Sequence, residues 1–192
     1  MLILSYGVRM HLEKLYPLIK NRARIIIILT LFLILTLFYY RFVKISIYVI
    51  AFIIVGGLSK FYHRFLKSTI GIDLVLFTTI MTALVYKSVI LSLIVGWLGL
   101  VIADTIGSRF SYTSFVSLIG LASVSIVSQL IISLPIIAGA IILIIIFEII
   151  SAIFYVLMGS SPQKITVFLV SHLLFNVFMI LNFATGLQNL ML

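Results

Sequence analysis

Two ionisable side chains lie deep within long apolar runs of this sequence. Glu148 is near the middle of Pro135–Met158, and His172 is in Ile165–Gly186. Glu148 has Ser151, Ala152 and Tyr155 at i+3, i+4 and i+7, and Asn176 follows His172 by one helical turn in SHLLFN. The segment Gly159–Lys164 joins the two runs, so they form an antiparallel pair. Glu148 and His172 then lie about 15 and 10 Å from the shared end, at ~1.5 Å per residue, close enough to meet. A carboxylate facing an imidazole lowers the desolvation cost of both groups and couples their titration. Such a pair can relay a proton, anchor a polar ligand, or serve only as an interhelical hydrogen bond.

Asp73 is the third candidate, near the start of the run Ser68–Tyr86. An acid at a helix N-terminus interacts favourably with the helix dipole, and the expected partner is Lys67 or Arg64. Thr78 and Thr82 lie about 140° away around a 3.6-residue helix and do not extend Asp73 into a polar stripe. Asp104 closes the following run and is expected to pair with Arg109 in a loop. The polar core predicted from residue types is therefore Glu148, His172, Asn176, Tyr155 and Asp73.

These groups need elements to hold them, and the composition says what kind. Of 192 residues, 64% are hydrophobic and 9% charged, with a mean hydropathy of +1.41. That leaves too little polar surface for a water-soluble globule, so lipid is the expected solvent and the bilayer the first partner. Thirteen Lys plus Arg stand against four Asp plus Glu. They flank apolar runs and form no stripe, which argues against nucleic acid. With no cysteine there are no disulfides and no thiolate chemistry.

The expected fold is all-α, a polytopic transmembrane bundle of six to seven helices in residues 25–192, preceded by a basic interfacial segment over 1–24 that Pro17 interrupts. The first two runs, Ile25–Tyr40 and Ile45–Leu58, reach only about 24 and 21 Å against a hydrocarbon core of roughly 30 Å. They are expected to be short spans, or a re-entrant hairpin, turning at Arg41-Phe42-Val43-Lys44. Five further spans follow: Ser68–Tyr86, Ser88–Ala103, Tyr112–Ser133, Pro135–Met158 and Ile165–Gly186. This topology puts the tail, Lys60, Arg64, Lys67, Arg109 and Lys164 on one side, against Arg41, Lys44 and Lys87 on the other. The bias predicts an integral protein of the cell membrane with its N-terminus in the cytoplasm and its C-terminus outside.

Ser88, Ser92, Gly96, Gly99 and Ala103 fall on one helical face, and small residues in such a row let two transmembrane backbones approach closely. The hairpin of Lys67–Asp104, turning at Val85–Ser88, is therefore the expected packing centre. No Gly-rich phosphate loop, HExxH or metal-spaced acidic pair is present, so neither a cofactor nor a metal is implied.

Part of this hairpin resembles a known group. Gly71, Ile72, Asp73, Phe77, Thr78 and Thr79, followed by the Gly96 and Gly99 helix, look like the Gly-Ile-(Glu/Asp)-x-x-x-Phe-(Thr/Val)-Thr hairpin. That hairpin occurs in small archaeal membrane proteins related to the S components of energy-coupling-factor transporters and to MreD-type proteins. The resemblance covers about residues 60–135. It implies a compact bundle of about six helices that binds a small solute or a membrane partner subunit. The first span has no Ala-x-x-x-Ala face of the kind S components dock with. SHLLFN also resembles the His-x-x-x-Asn element of rhomboid proteases, but their Gly-x-Ser-Gly nucleophile element is absent. The leading expectation is a non-enzymatic solute-binding or transport subunit. The alternatives are a structural scaffold subunit and an intramembrane enzyme using Glu148 and His172.

Overall fold

The computed structural model describes residues 2–65, 71–108 and 110–192, with the side chains of 2–24 and of His63 left out. Every regular element among them is helical: α1 (Leu2–Leu58), α2 (Val75–Tyr86), α3 (Val89–Ile106), α4 (Tyr112–Val127), α5 (Ile136–Leu157) and α6 (Pro162–Met191). Short 3-10 turns occupy Phe61–Arg64 and Ser128–Leu130. Five of the six helices are long and apolar enough to cross a membrane, and α2 is shorter. The chain divides into two compact units, Met1–Ile45 and Ser46–Leu192.

Three expectations about the elements are corrected. The runs Ile25–Tyr40 and Ile45–Leu58 both lie within α1 and are not separate spans. Arg41-Phe42-Val43-Lys44 has neither Gly nor Pro, and two long basic side chains are carried readily on a helix, so a dip in hydropathy there does not break the backbone. The helix also continues through Pro17. A proline removes one backbone bond, but the Leu, Lys, Arg and Ile residues on either side sustain those around it. Lastly, α2 begins at Val75, leaving Gly71–Leu74 non-helical. Ser68–Ile70, within the expected span, lie outside the described residues, as do Leu66, Lys67 and Arg109.

In the first unit, residues 25–40 form a helix that is apolar around its whole circumference and exposed throughout. A helix of that kind suits a lipid surround.

In the second unit α2 is central. It packs against α3, α4, α5 and α6, and ten of its twelve residues are buried. Its threonines do not break it, because Thr78, Thr79 and Thr82 each return a hydroxyl hydrogen to a carbonyl of the preceding turn. Lys87, in the left-handed region at φ 53°, ends α2, and Ser88 caps α3 by accepting from the Leu91 N–H. Gly159 at φ +73° and Pro162 as the first residue of α6 make the α5–α6 turn. The outer helices are amphipathic in the reverse sense to a soluble protein. On α5, Ile142, Ile145, Ile149 and Ile153 face out, while Glu148, Ser151 and Tyr155 are buried.

The small-residue face of α3 forms a close seam. Ser92, Gly96, Gly99 and Ala103 are buried, with Ser88 at the half-buried cap. The Ser92 hydroxyl lies 2.7 Å from that of Ser125 on α4 and donates to the Thr79 carbonyl on α2. A Cβ added at Gly96 would sit 2.7 Å from Thr79 Oγ1.

Candidate functional site

Three of the chain's four acidic residues converge in the second unit. Lys60, just beyond the end of α1, places its ammonium 2.9 Å from Asp104 Oδ1 at the close of α3 and 3.5 Å from Asp73 Oδ2. The other Asp73 oxygen accepts from the Val75 N–H and lies 3.8 Å from His172 Nε2 on α6. The opposite ring nitrogen, Nδ1, is 2.5 Å from Glu148 Oε1 on α5. The result is a continuous chain of groups, Asp104–Lys60–Asp73–His172–Glu148, in which Asp73, Asp104, Glu148 and His172 are all under 9% exposed.

Local sequence explains how these groups meet. Asp73 arrives on a non-helical segment laid against α6, and Gly71 makes that approach feasible. A Cβ there would stand 2.8 Å from His172 Cβ and 2.9 Å from the Phe168 carbonyl oxygen. The segment is pinned by hydrogen bonds from Gly71 N–H to Ser171 Oγ and from Leu74 N–H to Ser59 Oγ. The His172 ring is held between Phe168, stacked at 5.3 Å, and Phe147, tilted at 5.2 Å. Asn176 donates to the His172 carbonyl oxygen, tying its amide to the same helical turn.

Charge accounts for the protonation states at the mouth of the cluster. Burial alone would pull the Lys60 ammonium down, but the carboxylates of Asp73 and Asp104 outweigh it and raise the group above its ordinary 10.5. Burial alone would push the Asp73 carboxyl up. The Lys60 ammonium, with His172 and the Val75 N–H, outweighs that and holds it well below the usual carboxylate range. Deeper in, Glu148 Oε2, Ser151 Oγ and Asn176 Oδ1 are buried without a hydrogen-bond partner. A pocket with about 220 Å³ of empty space, counted to its open mouth, adjoins the cluster. Asp73, Ser117 and His172 give it polar lining among Val75, Leu100 and Phe168.

The structure thus brings together Glu148, His172, Asn176 and Asp73 among the residues expected to form a polar core. Tyr155 stands at the edge, packed with Val116, Ile165 and Phe168, and its hydroxyl faces Ser117. Two pairings observed here were not expected, and Lys60 makes both. The partner of Asp73 is Lys60 in place of Arg64, which is exposed, while Lys67 lies outside the described residues. Asp104 is held by the same Lys60, and its expected partner Arg109 also lies outside them. Lys60 reaches both acids because it leaves α1 next to the ends of the α2 lead-in and α3. Sequence reasoning missed Lys60 and the fit of Gly71. The signal for Lys60 was the scarcity of acids, each of which needs a cation once buried. Among the described residues no three His, Asp or Glu side chains are placed to hold a metal ion.

Comparison with protein-family models, curated proteins and solved structures finds no significant match.

Proposed function

We propose that this chain is a multi-spanning integral membrane protein that binds or transports a small solute, a role like that of S components. The polar core of its site would be Asp73, His172 and Glu148. The observation that carries the reading is the buried ionic chain bordering a pocket. Ionisable groups at membrane depth cost about 2.5–3.5 kcal/mol each on insertion scales, and they concentrate where a substrate or ion is handled. The membrane setting is supported by five long apolar helices and by isoleucine and leucine faces turned outward.

The basic residues Lys60, Arg64 and Lys164 gather where α1 ends and α6 begins, and Lys87 lies at the α2–α3 turn. By the positive-inside rule the Lys60 end of the bundle is cytoplasmic and the C-terminus is outside. The charge count put the N-terminus inside through a turn at Arg41–Lys44. Those residues are helical, so the orientation proposed here rests on the ends of the bundle alone.

The test is ligand-dependent stabilisation of the full chain in lipid nanodiscs. Members of a small-solute library should raise its unfolding temperature, and His172→Gln or Glu148→Gln should abolish the rise. If both variants fold and respond to every solute as the native chain does, the site is misassigned. A scaffold role of the MreD kind is the second reading. It is favoured by how little of the pocket is enclosed, most of its space being open to the surroundings. Capture of a partner subunit by a chain that responds to no solute would select it.

A further inference from the structure

Both ring nitrogens of His172 face a carboxylate, Nδ1 on Glu148 and Nε2 on Asp73. An ionised carboxylate only accepts, so a ring set between two of them is suited to carry hydrogen on both nitrogens, as an imidazolium. Its faces lie against Phe147 and Phe168, an arrangement that also favours a cation. Among the described residues, the ionisable groups around it are Lys60 after α1, Asp73 before α2, Asp104 on α3, and Glu148 and Tyr155 on α5, while α4 contributes Ser117. Among the described residues three carboxylates stand against two cations, which leaves negative charge in excess. Glu148 Oε2 is consistent with this, being a buried acceptor without a donor on a residue 8% exposed.

We propose that the solute is a small amine cation, bound at Asp73 in exchange for one proton of His172. This rests on the solute-binding reading above. The contact to Asp73, at 3.8 Å, is the looser of the two and borders the pocket. The Nε2–H bond breaks there, its electron pair stays on the nitrogen, and the proton passes to water. The neutral ring keeps its Nδ1–H on Glu148. The amine takes over the charge opposite Asp73, with its N–H groups on the carboxylate and its carbon atoms against Val75, Leu100 and Leu121. The net charge of the cluster is the same before and after. An anion would meet the excess negative charge. A metal ion would find one free carboxylate among apolar walls.

The experiment uses the full chain in phosphatidylcholine nanodiscs, in weakly buffered indicator solution. Methylammonium and ethylammonium chloride are titrated in, with sodium chloride, sodium acetate and methylurea as comparisons. Both amines should bind with release of close to one proton each, and their affinity should tighten about tenfold per pH unit while His172 is protonated. In His172→Gln the proton release should vanish and the pH slope flatten. The proton count and slope of the native chain decide the matter even where that variant does not fold. Amine binding without proton release overturns the exchange. Binding of acetate or methylurea in place of the amines overturns the cation assignment and leaves the solute reading standing. If no solute from these or the wider library binds, both fall.

Discussion

The α3 seam and the ionic cluster both bury polar side chains in the same unit, and they treat them in opposite ways. In the seam each hydroxyl is satisfied locally: Thr79 bonds the Val75 carbonyl, Ser125 bonds that of Leu121, and Ser92 bridges α2 and α4. Those groups carry no charge and are met by hydrogen bonds within the helices, so their role is close approach of backbones. In the cluster, full charges are taken from solvent and set beside a pocket, while Glu148, Ser151 and Asn176 keep unpartnered atoms. Unmet hydrogen-bonding capacity is costly when packing is the only gain. Buried polarity in such a chain is therefore informative by its satisfaction and charge, and much less by its depth.

The hardest test of that contrast is Lys60→Met. It strands Asp73 and Asp104, at 6% and 4% exposure, without their cation. Removing one partner of a buried ion pair costs about 3–5 kcal/mol. Unfolding by denaturing detergent should show a loss of that size, largely recovered when Asp73→Asn and Asp104→Asn are added. A loss under about 1 kcal/mol would make the cluster solvated surface and erase the contrast.

Titration separates the regions next. Asp73 is depressed in the folded chain, so its contribution is present above its ordinary 3.8 and is lost as pH falls through the folded value. Lys60 is raised, so its contribution is full below 10.5 and is lost as pH rises through the folded value. Thermal stability should therefore be flat in these two groups between about pH 4 and 10 and fall outside it. In the variant with Lys60→Met, Asp73→Asn and Asp104→Asn together, both falls should shrink, whereas Ser92→Ala in the seam should leave the profile's shape unchanged.

How much of this was legible in the sequence depends on the range of the cause. Glu148 and His172 could be paired from helical rise alone, since each is isolated in a long apolar run and one short turn joins the runs. The seam followed from spacing in the same way. Lys60 could not be assigned, because its position after an apolar helix fits an interfacial cation as well as a buried one. Only the paths of α3 and the α2 lead-in bring acids to it. The non-helical stretch at Gly71–Leu74 was hidden because hydropathy runs unbroken into α2, and what holds it is contact with α6. At Arg41–Lys44 charge suggested a turn, but no residue there breaks a helix.

Smaller effects come from glycines. Gly71→Ala would drive a Cβ to within 2.9 Å of the Phe168 carbonyl oxygen, a backbone atom with little freedom, and should cost about 1–3 kcal/mol. It should also push Asp73 off His172, so solute binding should weaken more than stability does. Gly96→Ala meets Thr79 Oγ1 at 2.7 Å and should cost a similar amount, because that hydroxyl is tied to Val75. Its effect should stop at stability and leave solute binding as in the native chain.

Gly99→Ala should have the least effect, and for that reason it sharpens the seam most. Gly99 shares a face with Gly96, yet the nearest atoms to a Cβ there are Val75 Cγ1 at 3.9 Å and the Ile53 carbonyl oxygen at 4.0 Å, ordinary van der Waals separations. Alanine also favours a helix over glycine by up to about 1 kcal/mol. Stability measured by detergent unfolding should be unchanged or slightly raised. A neutral Gly99→Ala beside a costly Gly96→Ala would place the close contact at the Thr79 crossing. Equal losses at both would mean that the whole face needs its glycines, and the seam would then be a continuous backbone contact instead of a single crossing point.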